Sequence, residues 1–110
     1  WIIERRIETI PNAYALRIWG CYGPGELPTR FSAICKRDGH VTIERDKYFD
    51  FIDIEDVCKI VQQYVTSKKS LIKYCNLVYS NKMLLSEWAK FFGATCEIQN
   101  TDELGEAYIY

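Results

Sequence analysis

Three groups of residues carry types and spacings suited to chemistry. Gly20, Gly23 and Gly25, with Pro24 and Pro28 among them, form a glycine-rich stretch of the sort that can cradle a phosphate with backbone N–H groups between a strand and a helix. The order here is Gly-x-x-Gly-x-Gly, not the dinucleotide pattern Gly-x-Gly-x-x-Gly. No Lys-Ser or Lys-Thr follows, and the two prolines lack the N–H that a phosphate would use. Read from spacing alone, this is a chain-reversing loop. Asp50, Asp53, Glu55 and Asp56 offer paired carboxylates for acid/base work or for a hard cation. On a strand, however, Asp50 and Asp53 point to opposite faces, and acidic residues are favoured before a helix by its dipole. Helix capping is the expectation for them. Five cysteines (Cys21, Cys35, Cys58, Cys75, Cys96) and the single His40 complete the inventory. Without a Cys-x-x-Cys pair or an orienting third group they suit neither zinc nor a thiol nucleophile, so no metal is expected and the thiols read as free and buried in a reducing cytoplasm.

The elements that position these residues follow from periodicity. Residues 1–9 place Ile3 and Ile7 on one face of a helix that Pro11 and Asn12 stop, and 14–19 (YALRIW) is an apolar run suited to a strand covered on both faces. Thr29 is placed to cap a helix over 30–37 that Gly39 ends, and Val41-Thr42-Ile43 reads as a strand. Residues 49–54 follow as a strand-like segment, then a helix over 57–65 started by Asp53 or Glu55-Asp56, with Val57, Ile60, Val61, Tyr64 and Val65 as its buried stripe. A turn at 66–70 leads to a strand over 74–79, and Ser86 is placed to cap a last helix over 87–92, closed by Gly93. Residues 95–110 are weakly patterned. The alternation predicts one small α/β domain spanning 1–110.

Bulk properties narrow the function. Fourteen Lys plus Arg against fifteen Asp plus Glu give a net charge of −1, which removes the electrostatic basis for nucleic acid or anionic membrane as a partner. No apolar run approaches the ~20 residues of a membrane span, and Glu4, Arg5 and Arg6 interrupt any leader-like stretch. A cytoplasmic location is the expectation. The sequence starts at Trp1, directly in helical periodicity and without a capping residue, as an excised piece would.

Taken in order, YALRIWGCYGPGE, RFSAICKRDG, VTIERD and FDFIDIEDV resemble the extended short-chain dehydrogenase/reductase family of nucleotide-sugar epimerases and dehydratases. In that family a Leu-Arg-x-x-Asn-x-Tyr-Gly-Pro stretch precedes a helix, a short strand and an Arg-Asp-Phe-Ile-Tyr-Val-x-Asp-Val segment. Leu16-Arg17, Tyr22-Gly23-Pro24, Asp50-Phe51-Ile52 and Asp56-Val57 match it, and Tyr74–Leu77 and Leu85–Trp88 look like its later strand and helix. The resemblance implies the C-terminal, substrate-side part of a Rossmann-like enzyme, with the cofactor-binding half, the glycine fingerprint and the catalytic Tyr-x-x-x-Lys all upstream of Trp1. The parent would then use NAD or NADP to oxidise the sugar of a nucleotide-diphosphate sugar, while this portion alone holds no cofactor and catalyses nothing.

By the same resemblance Gly20, Cys21 and Tyr22 border the cofactor. Tyr22, Arg30, Val41, Arg45 and Lys47 border the substrate, with Arg30 first in line for the diphosphate because its planar fork suits phosphate oxygens. Three positions depart from the family: Gly20 replaces an Asn, Phe49 an Arg, and Asp53 a Tyr or His. Partners implied are the nucleotide-diphosphate sugar, the upstream half and a second copy in a homo-oligomer. A different class of function is an interaction domain that keeps the fold, with Tyr22 and Trp88 as exposed partner contacts.

Overall fold

Short apolar runs separated by glycine turns yield short strands, and the described residues form four strand pairs laced by four helices. The computed structural model describes residues 2–67 and 71–110; Trp1 and part of the turn expected at 66–70 lie outside them. Helix α1 (Ile2–Ile7) precedes β1 (Ala15–Ile18) and β2 (Cys21–Tyr22). Helix α2 (Phe31–Asp38) leads to β3 (His40–Ile43), β4 (Tyr48–Phe49) and β5 (Ile52–Asp53), and α3 (Ile54–Thr66) to β6 (Tyr74–Leu77) and β7 (Met83–Leu84). Helix α4 (Leu85–Phe91) and β8 (Thr95–Ile98) complete the order. The pairs β1–β6, β2–β5 and β3–β8 are parallel, and β4–β7 is antiparallel. This is the mixed α/β architecture read from the sequence, divided among two-stranded sheets.

The helix ends separate side-chain chemistry from mere proximity. Gly39 takes the left-handed conformation (φ 65°) and its N–H bonds to the Cys35 carbonyl, as expected of a C-terminal glycine. Thr29 does not cap α2. The chain turns one residue later, through Arg30 N–H to the Leu27 carbonyl (3.1 Å), and Arg30 occupies the cap position without a side-chain bond. Asp53 does cap α3, accepting from the Glu55 N–H at 2.8 Å. Ser86 lies inside α4, and its N–H and hydroxyl both donate to the carboxylate of Asp46, a buried residue 40 positions earlier. A distant carboxylate thus takes over the cap expected of a local serine, which also suits the helix dipole.

Two apolar clusters form the core. The larger joins Tyr22, Cys35, Val41, Phe51, Trp88 and Phe92 with Leu85 and Ala89, and the smaller joins Ile52, Val57 and Leu77. On α3 only Val57 of the expected stripe is buried; Val61 is exposed and Val65 is 78% exposed. Strand β1 is half-covered, with Ile18 exposed, and not enclosed on both faces. Of the five cysteines Cys35 alone is fully buried and Cys58 is exposed, which corrects the expectation of uniformly buried thiols.

The weakly patterned tail proves structured. β8 pairs with β3, and residues beyond it fold back over 46–50, where Gly105 N–H bonds to the Asp46 carbonyl (2.7 Å) and Tyr108 N–H to the Tyr48 carbonyl (2.8 Å). Asp50 is 4% exposed and is held by Lys82 Nζ (2.9 Å) and the Tyr110 N–H (2.6 Å). Asp50 therefore acts as an internal tie between β4, the β6–β7 loop and the tail.

Candidate functional site

Beyond the carboxyl ends of the parallel pair β3–β8 the backbone stays paired, Gln99 N–H to the Ile43 carbonyl (2.9 Å) and Asn100 N–H to the Glu44 carbonyl (2.8 Å), before the two chains part. A cleft of about 370 Å³ opens there, bordered by Ile43, Arg45, Lys47, Glu106 and Tyr108. Crevices outside the carboxyl ends of parallel strands are where α/β sheets bind ligands. Arg45 forms an ion pair with Glu103, and Lys47 Nζ lies 4.4 Å from the centre of the Tyr108 ring and 5.9 Å from that of Phe49. Asp46, between the two cations, points away into its Ser86 contacts and fixes the loop that carries them. Arg45 and Lys47 are thus brought together with an aromatic face, Tyr108, that the sequence did not single out.

The other expected substrate residues lie elsewhere. Arg30 does not border this cleft; its Nη2 reaches the Cys21 carbonyl at 3.5 Å, at the edge of hydrogen-bonding range. Val41 is turned into the core, so its side chain is closed to a ligand. Tyr22 corrects the expectation of a free loop tyrosine. It is 6% exposed, and its ring meets Phe92 edge-on at 4.9 Å and Trp88 at 6.1 Å. Trp88 is 4% exposed and donates its indole N–H to the Phe49 carbonyl (2.9 Å), so neither aromatic named for partner contacts is free to make them.

Gly20 is required by packing. A Cβ there would lie 2.6 Å from the Asp50 carbonyl oxygen and 2.8 Å from Phe51 Cδ1, which leaves no room for the family's Asn. Gly23 (φ 157°) would place a Cβ 2.3 Å from Ile54 Cγ2. Cys21, Tyr22, Gly23 and Gly25 border a smaller cleft of about 220 Å³ whose one charged side chain is Glu26. That lining suits an uncharged ring and not a phosphate. Burial raises the Cys21 thiol above its ordinary value, which keeps it protonated and a poor nucleophile. Next to Gly20 the Trp19 indole N–H is buried without an acceptor among the described residues, while its ring stacks on Tyr110 at 3.7 Å. Groups of three or more His, Cys, Asp or Glu able to hold a metal are absent among the described residues.

A third cavity, of about 410 Å³, is also bordered by Tyr22. Tyr79 borders it, and its hydroxyl donates to Asp56 Oδ2 and accepts from the Asp53 N–H at 3.2 Å. Burial first, then the Asp56 carboxylate, hold the Tyr79 hydroxyl well above the usual tyrosine value. It remains a proton donor throughout the ordinary pH range.

No protein-family model matches this chain, and no curated protein matches it either. A solved structure does. The chain is similar to an NAD-dependent NDP-hexosamine 5,6-dehydratase, TunA, involved in tunicamycin biosynthesis, with a TM-score of 0.65 and 15% sequence identity. The likeness covers 97% of this chain and 40% of that one. It establishes the fold alone: this chain has the architecture of part of that structure. Among the described residues no helix is long and apolar enough to cross a membrane.

Proposed function

We propose that this chain is the substrate-side portion of an NAD(P)-dependent enzyme acting on a nucleotide-diphosphate sugar, and that it is inactive without the cofactor-binding half. The observation that carries this reading is the convergence of Arg45, Lys47 and Tyr108 outside the carboxyl ends of β3 and β8 in a fold similar to such a dehydratase. Two cations and a ring are what a nucleoside diphosphate requires, a bidentate and a point-charge contact for phosphate and a face for the base.

The diphosphate would replace Glu103 at Arg45, exchanging one anion for another. Glu44 and Glu106 border the same cleft, so the net attraction is small and the two cations must contact phosphate directly. Arg30 is a secondary contact, reachable by releasing the long bond to Cys21. Val41 contributes as the core support beneath β3. Gly20, Cys21 and Tyr22 would border the nicotinamide end of the cofactor, whose chemistry when bound is to accept hydride from the sugar. Grip on the remote nucleotide then orients the sugar for that transfer.

The test is calorimetric titration of the polypeptide, extended upstream through its native reading frame, with UDP-, GDP- and dTDP-sugars. One of them is expected to bind, and Arg45→Ala should weaken it by about 1–3 kcal/mol, the range of charge-assisted hydrogen bonds. Glu103→Gln should tighten it by freeing Arg45. Absence of binding by the extended chain, or indifference to Arg45→Ala, overturns the assignment.

A further inference from the structure

The cavity of about 410 Å³ bordered by Tyr22 and Tyr79 is acidic and aromatic at once. Asp56 is the one charged side chain among the described residues that line it, with no Lys, Arg or His beside it. Its Oδ2 accepts from the Tyr79 hydroxyl, and its Oδ1 lies 4.0 Å from Lys59 Nζ, on a side chain 73% exposed. An ion pair that long and that solvated is weak, so the carboxylate remains largely uncompensated. Tyr79 gives it a neutral donor only.

Tyr22, Trp88 and Phe91 border the same cavity and stand mutually edge-on: Tyr22 to Trp88 at 6.1 Å and 63°, Tyr22 to Phe91 at 6.3 Å and 69°, and Trp88 to Phe91 at 5.6 Å and 90°. Three planes set so steeply to one another share a single point. A group seated among these rings therefore lies on the face side of at least one of them, and ring faces attract cations. The Tyr22 ring already does so once. Lys36 Nζ lies 5.4 Å from its centre, while Lys36 borders a different cavity and pairs with Glu26.

Charge then selects the ligand. An anion would meet Asp56 with no cation to offset it. A neutral apolar molecule would cover the carboxylate and strip its water without replacing the lost interactions. A divalent metal needs several oxygen ligands, and groups of three or more metal-binding side chains are absent among the described residues. An organic ammonium ion suits both features, its N–H groups bonding Asp56 and its charge meeting the rings. The volume leaves room for an apolar stem beside Met83.

We propose that this cavity binds an alkylammonium ion with an apolar stem, Asp56 serving as counter-ion and Tyr22, Trp88 and Phe91 as the ring walls. The site shares no lining residue with the Arg45–Lys47 cleft and stands whether or not that cleft binds a nucleotide. The ammonium group would come from a free amine or from a lysine side chain of a peptide.

The experiment is calorimetric titration of the polypeptide in its native reading frame with phenethylamine, with phenethyl alcohol as its uncharged counterpart, and with Nα-acetyl-lysine methylamide. Phenethylamine is expected to bind, and the alcohol at least about tenfold more weakly. Asp56→Asn, whose amide oxygen can still accept from Tyr79, should bring the amine down to the level of the alcohol. Two exposed positions carry the test should that variant not fold. Phe91→Ala, at a ring 61% exposed, should weaken the amine about fivefold, and Lys59→Gln should tighten it about twofold by removing a competing ammonium group. Preference for the lysine derivative over phenethylamine supports the site with a peptide as its source, and the reverse preference supports a free amine. Absence of binding by both ammonium probes, equal binding of the alcohol, or unchanged amine affinity in both Phe91→Ala and Lys59→Gln overturns the site. Loss of amine binding in Arg45→Ala would put the amine in the other cleft and overturn it too.

Discussion

Gly20 and Lys82 show how much single positions constrain this molecule. A methyl group at residue 20 has nowhere to go, because one of its neighbours is the backbone carbonyl of Asp50. Gly20→Ala should cost about 1–3 kcal/mol, the usual penalty of overpacking, read from urea denaturation. Lys82 neutralises a carboxylate that is almost wholly buried. Removing it leaves Asp50 with the Tyr110 N–H and no cation, so Lys82→Ala should cost about 3–5 kcal/mol in the same measurement. The sequence shows that Gly20 departs from the family it resembles, but the cause is a contact 30 residues away in the chain that no local pattern reveals. Asp50 likewise reads as one of four acidic residues before a helix, and only the structure separates it from Asp53, the true cap. The resemblance names Arg45 and Lys47 singly, after Arg30, and the structure sets both on one cleft. Tyr108 was not legible, because its place above Lys47 depends on the return of an unpatterned tail.

Among the elements, those with strong local signals follow the sequence closely. Helix α2 ends at Gly39, α3 starts at Asp53, and the strand read over 41–43 is observed at His40–Ile43. The misplaced features are those decided by partners far away: the cap of α4 comes from Asp46, and on the α3 stripe Val61 and Val65 stay exposed while Tyr64 meets Tyr14 edge-on. Ser86→Ala should therefore destabilise the chain by about 1 kcal/mol or slightly more, since it removes a hydrogen bond to a buried carboxylate. Thr29→Ala should change little, because Thr29 caps nothing. Parallel thermal melts of the two variants check the contrast. Protonation adds a second handle. Burial raises Cys35 above its ordinary 9.0, and burial with Asp56 raises Tyr79 above 10.0. The folded chain keeps these protons where the unfolded chain has released them, so the stability they contribute is present below the ordinary values and is lost as pH rises through and beyond them. The urea midpoint should fall between about pH 8 and about pH 10.5, and it should fall less in Tyr79→Phe.

At the scale of the whole molecule the dimensions are telling. The Cα radius of gyration is 16.7 Å and the extents are 48 × 28 × 23 Å, whereas a compact chain of this length has a radius of about 13 Å. Ile2, Ile3, Ile18, Ile72 and Val65 are exposed on such an elongated body. Residues 1–110 produced alone should self-associate in sedimentation velocity, and on the proposal of a companion cofactor-binding half a chain that includes that half should do so less. Equal association of both would remove the reason for a companion half. The alternation of helix and strand patterns made the α/β class legible, but the division into two-stranded pairs was not, because it depends on which neighbouring strands are present to extend each pair.

The pairing of β3 with β8, and of β1 with β6, also sets a timetable. His40 and Thr95 are 55 residues apart, and Arg17 and Asn76 are 59 apart. During synthesis each early strand leaves the ribosome long before its mate exists; helices α2 and α3 are made between β1 and β6, and α3 and α4 between β3 and β8. By order of synthesis β1–β6 can close before β4–β7, and β3–β8 closes last, so the cleft beyond β3 takes shape only when almost all of these residues have been translated.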